Sequence, residues 1–144
     1  MIQPTPTRPG ERPLKIDIVV HGRFHGFALA RALLALGHDV LLHTNYPGFV
    51  VERFGVPRRH VRTFLVHGIG GRALQRIGNG RSSDRTDRWL HASFGAWAAR
   101  SVRATSDLVH GFSGVMEEFL KTPRALPTQV RTIVRGSAHI CEQA

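Results

Sequence analysis

One cysteine, Cys141, stands in 144 residues, so no disulfide can form within the chain, and a reducing compartment suits it. Lysine is almost missing, since 18 of the 20 basic residues are arginine. Acidic residues number only 10, which leaves a formal charge of +10 and an attraction to phosphates, whether on nucleic acid, anionic lipid or a sugar nucleotide. No apolar run is long enough to span a bilayer: the longest, residues 27–36, contains Arg31. The opening MIQPTPTRPGERP lacks the apolar stretch of a secretory signal. A soluble cytoplasmic protein is therefore expected. Charged residues make up 21% of the chain, too few for a self-repelling disordered polymer, and the 42% hydrophobic content is enough for the core of one domain.

Several signatures are also missing. There is no G-x-G-x-x-G dinucleotide fingerprint, and no G-K-[ST] follows the GIGG of residues 68–71, which argues against a P-loop NTPase. His21 and His25 are spaced H-x-x-x-H but straddle a glycine turn rather than sharing a helical face, so no metal site is expected. The arginines are spread along the whole chain without interleaved aromatics or a helix-turn-helix, zinc-finger or RNP pattern. Charge alone gives only salt-sensitive, non-specific attraction to nucleic acid.

What is there alternates between strand and helix. Residues 1–13 hold four prolines and no apolar period, and read as a flexible leader, with order beginning at Leu14. KIDIVV at 15–20 is a β-branched run and a buried strand. HGRFHG at 21–26 is a glycine turn, residues 27–36 are a helix, Gly37 supplies its left-handed end, and HDVLLHT at 38–44 is a second strand. A short helix at 49–54, a strand at 61–66 and a short helix at 72–77 follow. GNGRSS at 78–83 is a flexible breaker. Residues 86–104 carry Leu90, Phe94, Trp97, Ala98 and Val102 at helical spacing, with Arg85, Arg88 and Arg103 on the opposite side. A strand at 107–111, a helix capped by Ser113 and stopped by Pro123, and a strand at 129–135 complete the pattern, with a new turn at 136–139. The order predicts one doubly wound α/β domain whose ligand crevice lies beyond the carboxyl ends of its strands.

Three turns deliver chemistry to that edge. In HGRFHG, glycines 22 and 26 allow close backbone approach, and Arg23 and His25 can bond an anion; a tight turn with no ligand explains the same residues. In VHGFSG, a strand brings His110 to the carboxyl edge and Ser113 opens a helix. Histidine exchanges protons near neutral pH, yet a packed histidine and a capping serine account for the motif in isolation. RGSAHI repeats the arrangement one strand later, with Arg135 for an anion and His139 toward the crevice, or a surface arginine and a second cap.

Taken in order, KIDIVVHGRFHGF, ALLALGHDVLLHT, DLVHGFSG and VRGSAHI resemble the N-terminal half of a GT-B glycosyltransferase of the family-4 type, across residues 15–144. The resemblance implies a Rossmann-like acceptor-side domain of a retaining enzyme that moves a sugar from a nucleotide sugar to a glycan or lipid-linked acceptor, with no cofactor and no catalytic metal. It implies that Gly22 and Gly26 approach the donor diphosphate. It implies that His110 sits near the reacting sugar, and that Arg23, His25, Ser113, Arg135 and His139 face the cleft or the acceptor. It also implies a second Rossmann-like domain carrying an E-x7-E pair. The glutamates here are Glu11, Glu52, Glu117, Glu118 and Glu142, and none form that pair. The expectation is thus a truncated half, incomplete at its C-terminus and silent alone, whose basic surface suits the inner face of a membrane. The alternative is a non-catalytic basic α/β module that binds phosphate-rich ligands.

Overall fold

The computed structural model describes residues 12–22, 25–65, 84–124 and 126–134. Strand β1, Lys15–Val20, forms because its β-branched side chains suit a pleated surface, and five of its six residues are buried. Burial on both faces explains why it reads as a continuous apolar run rather than an alternating one. Helix α1, Gly26–Ala35, follows and ends in a Schellman motif. The Gly37 N–H donates to the Leu34 carbonyl at 3.0 Å and the His38 N–H to Leu33 at 3.1 Å, with Gly37 at φ 86°. The chain then enters β2, Asp39–Thr44, parallel to β1 with Lys15 opposite Asp39 and Val20 opposite Thr44.

Helix α2, Gly48–Glu52, and a 3-10 turn, Arg58–His60, lead to β3, Val61–Thr63. Helix α3, Asp84–Ser101, crosses back to β4, Leu108–Phe112; α4, Glu117–Lys121, connects it to β5, Val130–Val134. Among the described residues these strands make one all-parallel sheet in the order β3-β2-β1-β4-β5. The chain steps outward twice from β1, then returns to lay β4 on its other side. The doubly wound α/β expectation is what the structure has.

Two cores result, one on each face of the sheet. Ile16, Ile18, Val20, Val40 and Leu42 pack under Phe27 and Ala30 of α1 and Val51 of α2. Val19 and Val109 pack under Phe94 and Ala98 of α3 and Phe119 of α4. The α3 apolar stripe is as its spacing predicts, with Phe94 and Ala98 fully buried and Arg88 exposed. Strand β5 is tied to the end of α4 by Arg131, whose guanidinium donates to the carbonyls of Thr122 at 2.8 Å and Pro123 at 3.0 Å and stacks 4.3 Å above the Phe119 ring.

Several expectations need correction. Arg12 grips Asp107, with Nη2 2.6 Å from Oδ1. That contact, with the Lys15 N–H on the same carboxyl, holds Asp107 below the usual carboxylate range. Helix α3 stops at Ser101, so Arg103 is not on its solvent side. It turns inward instead, toward the carboxylates of Asp17 and Asp39. Strand β4 runs one residue further than expected, to Phe112. Ser113 caps no helix: α4 starts at Glu117 with Met116 in the capping position, because Val115 and Met116 are drawn into the α3-side core. The expected helix at 72–77, the loops at 68–71 and 78–83, and the turn at 136–139 lie outside the described residues.

Gly26 has a packing role. A Cβ there would stand 2.9 Å from Val20 Cγ1 and 3.0 Å from Val20 Cβ, and a valine in a buried strand has little freedom to turn away. Gly26→Ala is therefore expected to lower stability by about 1–3 kcal/mol, the usual range for overpacking. Urea denaturation checks this, and a midpoint equal to wild type contradicts the packing described.

Candidate functional site

In a doubly wound sheet the ligand crevice opens beyond the carboxyl ends of the strands, where successive connections leave in opposite directions. Here that point lies between β1 and β4. Val19 pairs with Gly111, so the loops that begin at His21 and Ser113 leave the same edge side by side.

The first loop is pinned from β2. Gly22, at φ 88°, donates its N–H to Asn45 Oδ1 at 2.8 Å, and Asn45 Nδ2 lies 3.4 Å from His21 Nε2. The His21 ring meets His91 of α3 edge-on with centroids 4.8 Å apart, and Phe94 at 5.3 Å. Two imidazoles, an amide and a glycine loop thus share one corner of the edge, in a chain of net charge +10. A ligand oxygen that takes the Gly22 N–H must displace the Asn45 carbonyl oxygen.

The residues singled out by sequence that fall among the described ones take these places. His25 is exposed and precedes α1; its carbonyl accepts from the Leu29 N–H at 2.9 Å, and its side chain caps nothing. Gly26 is buried against Val20. Ser113 is exposed, and its N–H donates to the Val134 carbonyl at 2.9 Å. His110 lies one pleat short of the strand end, opposite Ile18 of β1 and Thr132 of β5. Phe112, not His110, closes β4. Arg23, Arg135 and His139 lie outside the described residues. The structure brings Gly22 and Ser113 to one edge, with His110 one step behind it on a strand face.

His110 is half-buried, and burial pushes its pKa below the ordinary histidine value. Its Nδ1 lies 2.8 Å from Thr132 Oγ1, and its ring stands edge-on to Phe112 at 5.6 Å. Among the described residues Nε2 has no protein partner, and it is not among the fully buried unpaired atoms. Asn45 and Thr132 are not legible as site residues in the sequence, because single polar residues beside or inside a strand carry no spacing pattern. The only available signal was position: each lies in or directly after a strand that meets the crevice.

A second polar cluster sits under α3. Asp17 and His43 are both fully buried, with His43 Nε2 2.6 Å from Asp17 Oδ1. Arg103 Nε donates to Asp17 Oδ2 at 3.1 Å, Arg103 Nη1 to Asp39 Oδ2 at 2.7 Å, and Ser106 Oγ also donates to Asp17. Burial alone would push the Asp17 carboxyl up. The hydrogen bonds from His43 and Ser106 and the charge of Arg103 overcome it and hold Asp17 below the usual range. Burial also opposes the Arg103 charge, and Asp17 and Asp39 together keep its pKa raised. This cluster is a fold-holding device, since Asp17 is shut beneath the sheet's helical cover rather than set at the carboxyl edge.

Among the described residues no group of three or more His, Cys, Asp or Glu side chains comes together to hold a metal ion. Among them, too, no helix is long and apolar enough to cross a membrane. Compared with known proteins, the chain matches no protein-family model, no curated protein and no solved structure.

Proposed function

We propose that this chain is the acceptor-side, Rossmann-like half of a retaining GT-B glycosyltransferase that moves a sugar from a nucleotide sugar to a glycan or lipid-linked acceptor. The observation that carries the reading is the β3-β2-β1-β4-β5 sheet, with the His21–Gly22 loop and the His110-bearing strand flanking its switch point. That arrangement supports the reading because the resemblance implies the first of these segments approaching the donor diphosphate and the second near the reacting sugar. Fold alone would not carry it, since one α/β scaffold serves many chemistries. In this role the corner of His21, Gly22 and Asn45 meets donor phosphate oxygens, and His110 Nε2 addresses a sugar or acceptor hydroxyl. The basic surface draws an anionic or membrane-borne acceptor toward the crevice. No cofactor or metal is assigned; the nucleotide sugar is a co-substrate.

The test is sugar transfer from a panel of nucleotide sugars, by residues 1–144 alone and joined to a donor-binding domain bearing the E-x7-E pair. The chain alone is expected to give no transfer, because the principal contacts to the diphosphate come from that other half. The joined protein is expected to turn over, and His110→Ala to lower its kcat by about 100-fold, the scale of one aimed hydrogen bond at a reacting centre. Transfer by the lone chain, or wild-type rates in the His110 variant, overturns the assignment. The net charge of +10 favours one other reading, a non-catalytic module for phosphate-rich ligands. An inert joined protein, together with a polyphosphate-induced rise in Tm that disappears with added salt, decides for that reading.

A further inference from the structure

We infer that Thr132 is a positioning residue for His110: its hydroxyl donates to Nδ1 and fixes the ring with its proton on Nε2, making Nε2–H a hydrogen-bond donor to a ligand hydroxyl or ring oxygen. The use of that donor rests on the glycosyltransferase reading above; the pairing itself does not. His110 and Thr132 stand directly opposite each other on parallel neighbours β4 and β5, so backbone register holds the two side chains on one face of the sheet. The 2.8 Å separation is that of a well-formed hydrogen bond.

Thr132 Oγ1 makes no other hydrogen bond among the described residues, so His110 Nδ1 is the acceptor within reach of its proton. Either tautomer leaves one polar hydrogen without a protein partner, on Nε2 or on the hydroxyl. The direction therefore follows from the ring itself, because a neutral histidine side chain intrinsically prefers its proton on Nε2, which leaves Nδ1 as the acceptor. Phe112 stands edge-on against the ring and limits its rotation, so Nε2 keeps a fixed heading. Burial keeps the ring neutral near pH 7, and it then serves as a donor rather than as a charged acid. His110 therefore orients an oxygen of the sugar or acceptor, where sequence alone left a proton-exchange role open.

The test uses residues 1–144 labelled with nitrogen-15 at histidine, read by long-range proton–nitrogen correlation at neutral pH. The wild-type His110 ring is expected to show an unprotonated, hydrogen-bonded Nδ1 and a protonated Nε2. In Thr132→Val the Nδ1 resonance moves to that of an unbonded ring nitrogen, and in Thr132→Ser it stays in place. A protonated Nδ1 in the wild type, or an unmoved Nδ1 in Thr132→Val, overturns the proposal. If the valine variant does not fold, the wild-type ring and the serine variant still decide the matter. In the joined two-domain enzyme, Thr132→Val lowers kcat about tenfold with little change in KM, and Thr132→Ser restores it. Expected spectra together with an inert joined enzyme sink the glycosyltransferase reading and leave Thr132 as the group that sets the ring.

Discussion

Replacing Asp17 with alanine lowers the unfolding free energy by about 3–5 kcal/mol, because one partner of a buried ionic cluster is removed and the others remain. His43 Nε2, Arg103 Nε and Ser106 Oγ all lose their acceptor at once. Arg103 keeps Asp39 at 2.7 Å, so the loss falls mainly on the wholly buried His43 and on Ser106. Asp17→Asn, which keeps the shape and part of the hydrogen bonding, is expected to lose less. The same cluster sets an acid limit. The folded-state pKa of Asp17 is depressed, so its contribution is fully present above the unfolded value near 4 and disappears as pH falls through the lower folded value. Urea midpoints taken from neutral pH down through that window measure both effects. A loss below about 1 kcal/mol in Asp17→Ala, or an undiminished acid dependence, contradicts the network.

Phe94→Ala is expected to cost about 3–5 kcal/mol, the range for emptying a large aromatic site in a close-packed core. Phe94 is fully buried at the centre of the α3-side core, with Trp97 at 5.5 Å, Phe64 at 6.5 Å and His21 at 5.3 Å between ring centroids. Phe94→Leu, which keeps most of the volume, is expected to lose less than half as much. Because Phe94 also braces His21, the alanine variant shifts the His21 ring resonances while leaving those of His60 in place. Chemical denaturation and a histidine spectrum of the same sample read both. A stability loss under about 1.5 kcal/mol, or an unmoved His21, means that α3 is not seated on the sheet through this side chain.

The candidate site divides between what neighbouring residues in sequence encode and what only distant ones decide. Gly22 stood out because a glycine after a β-branched run marks a strand-to-helix turn, and its φ of 88° shows that the turn uses it. Gly26 also stood out, but its reason is the approach of α1 to Val20, visible only once the helix lies on the strand. His110 was legible as a strand histidine, whereas its partner Thr132 is 22 residues away and meets it only because β5 pairs with β4. Arg103 carries a false helical signal in the sequence, because the helical spacing continues past Ser101, where the helix stops. Its landing place, Asp17, is 86 residues distant.

By itself the sequence determined the order of the described strands and main helices, the burial of β1, the stop at Gly37 and the strong positive charge. Each of these is a property of a residue and its neighbours within one turn or one pleat. The tertiary structure alone decided that β4 returns to the side of β1, that Asn45 holds the Gly22 loop and that Asp17, His43, Arg103 and Ser106 close into one buried cluster. Such contacts join residues whose separation along the chain carries no periodic signal. They exist because parallel pairing fixes which side chains share a face, and because a polar group shut away from water is stable there only when a partner arrives with it.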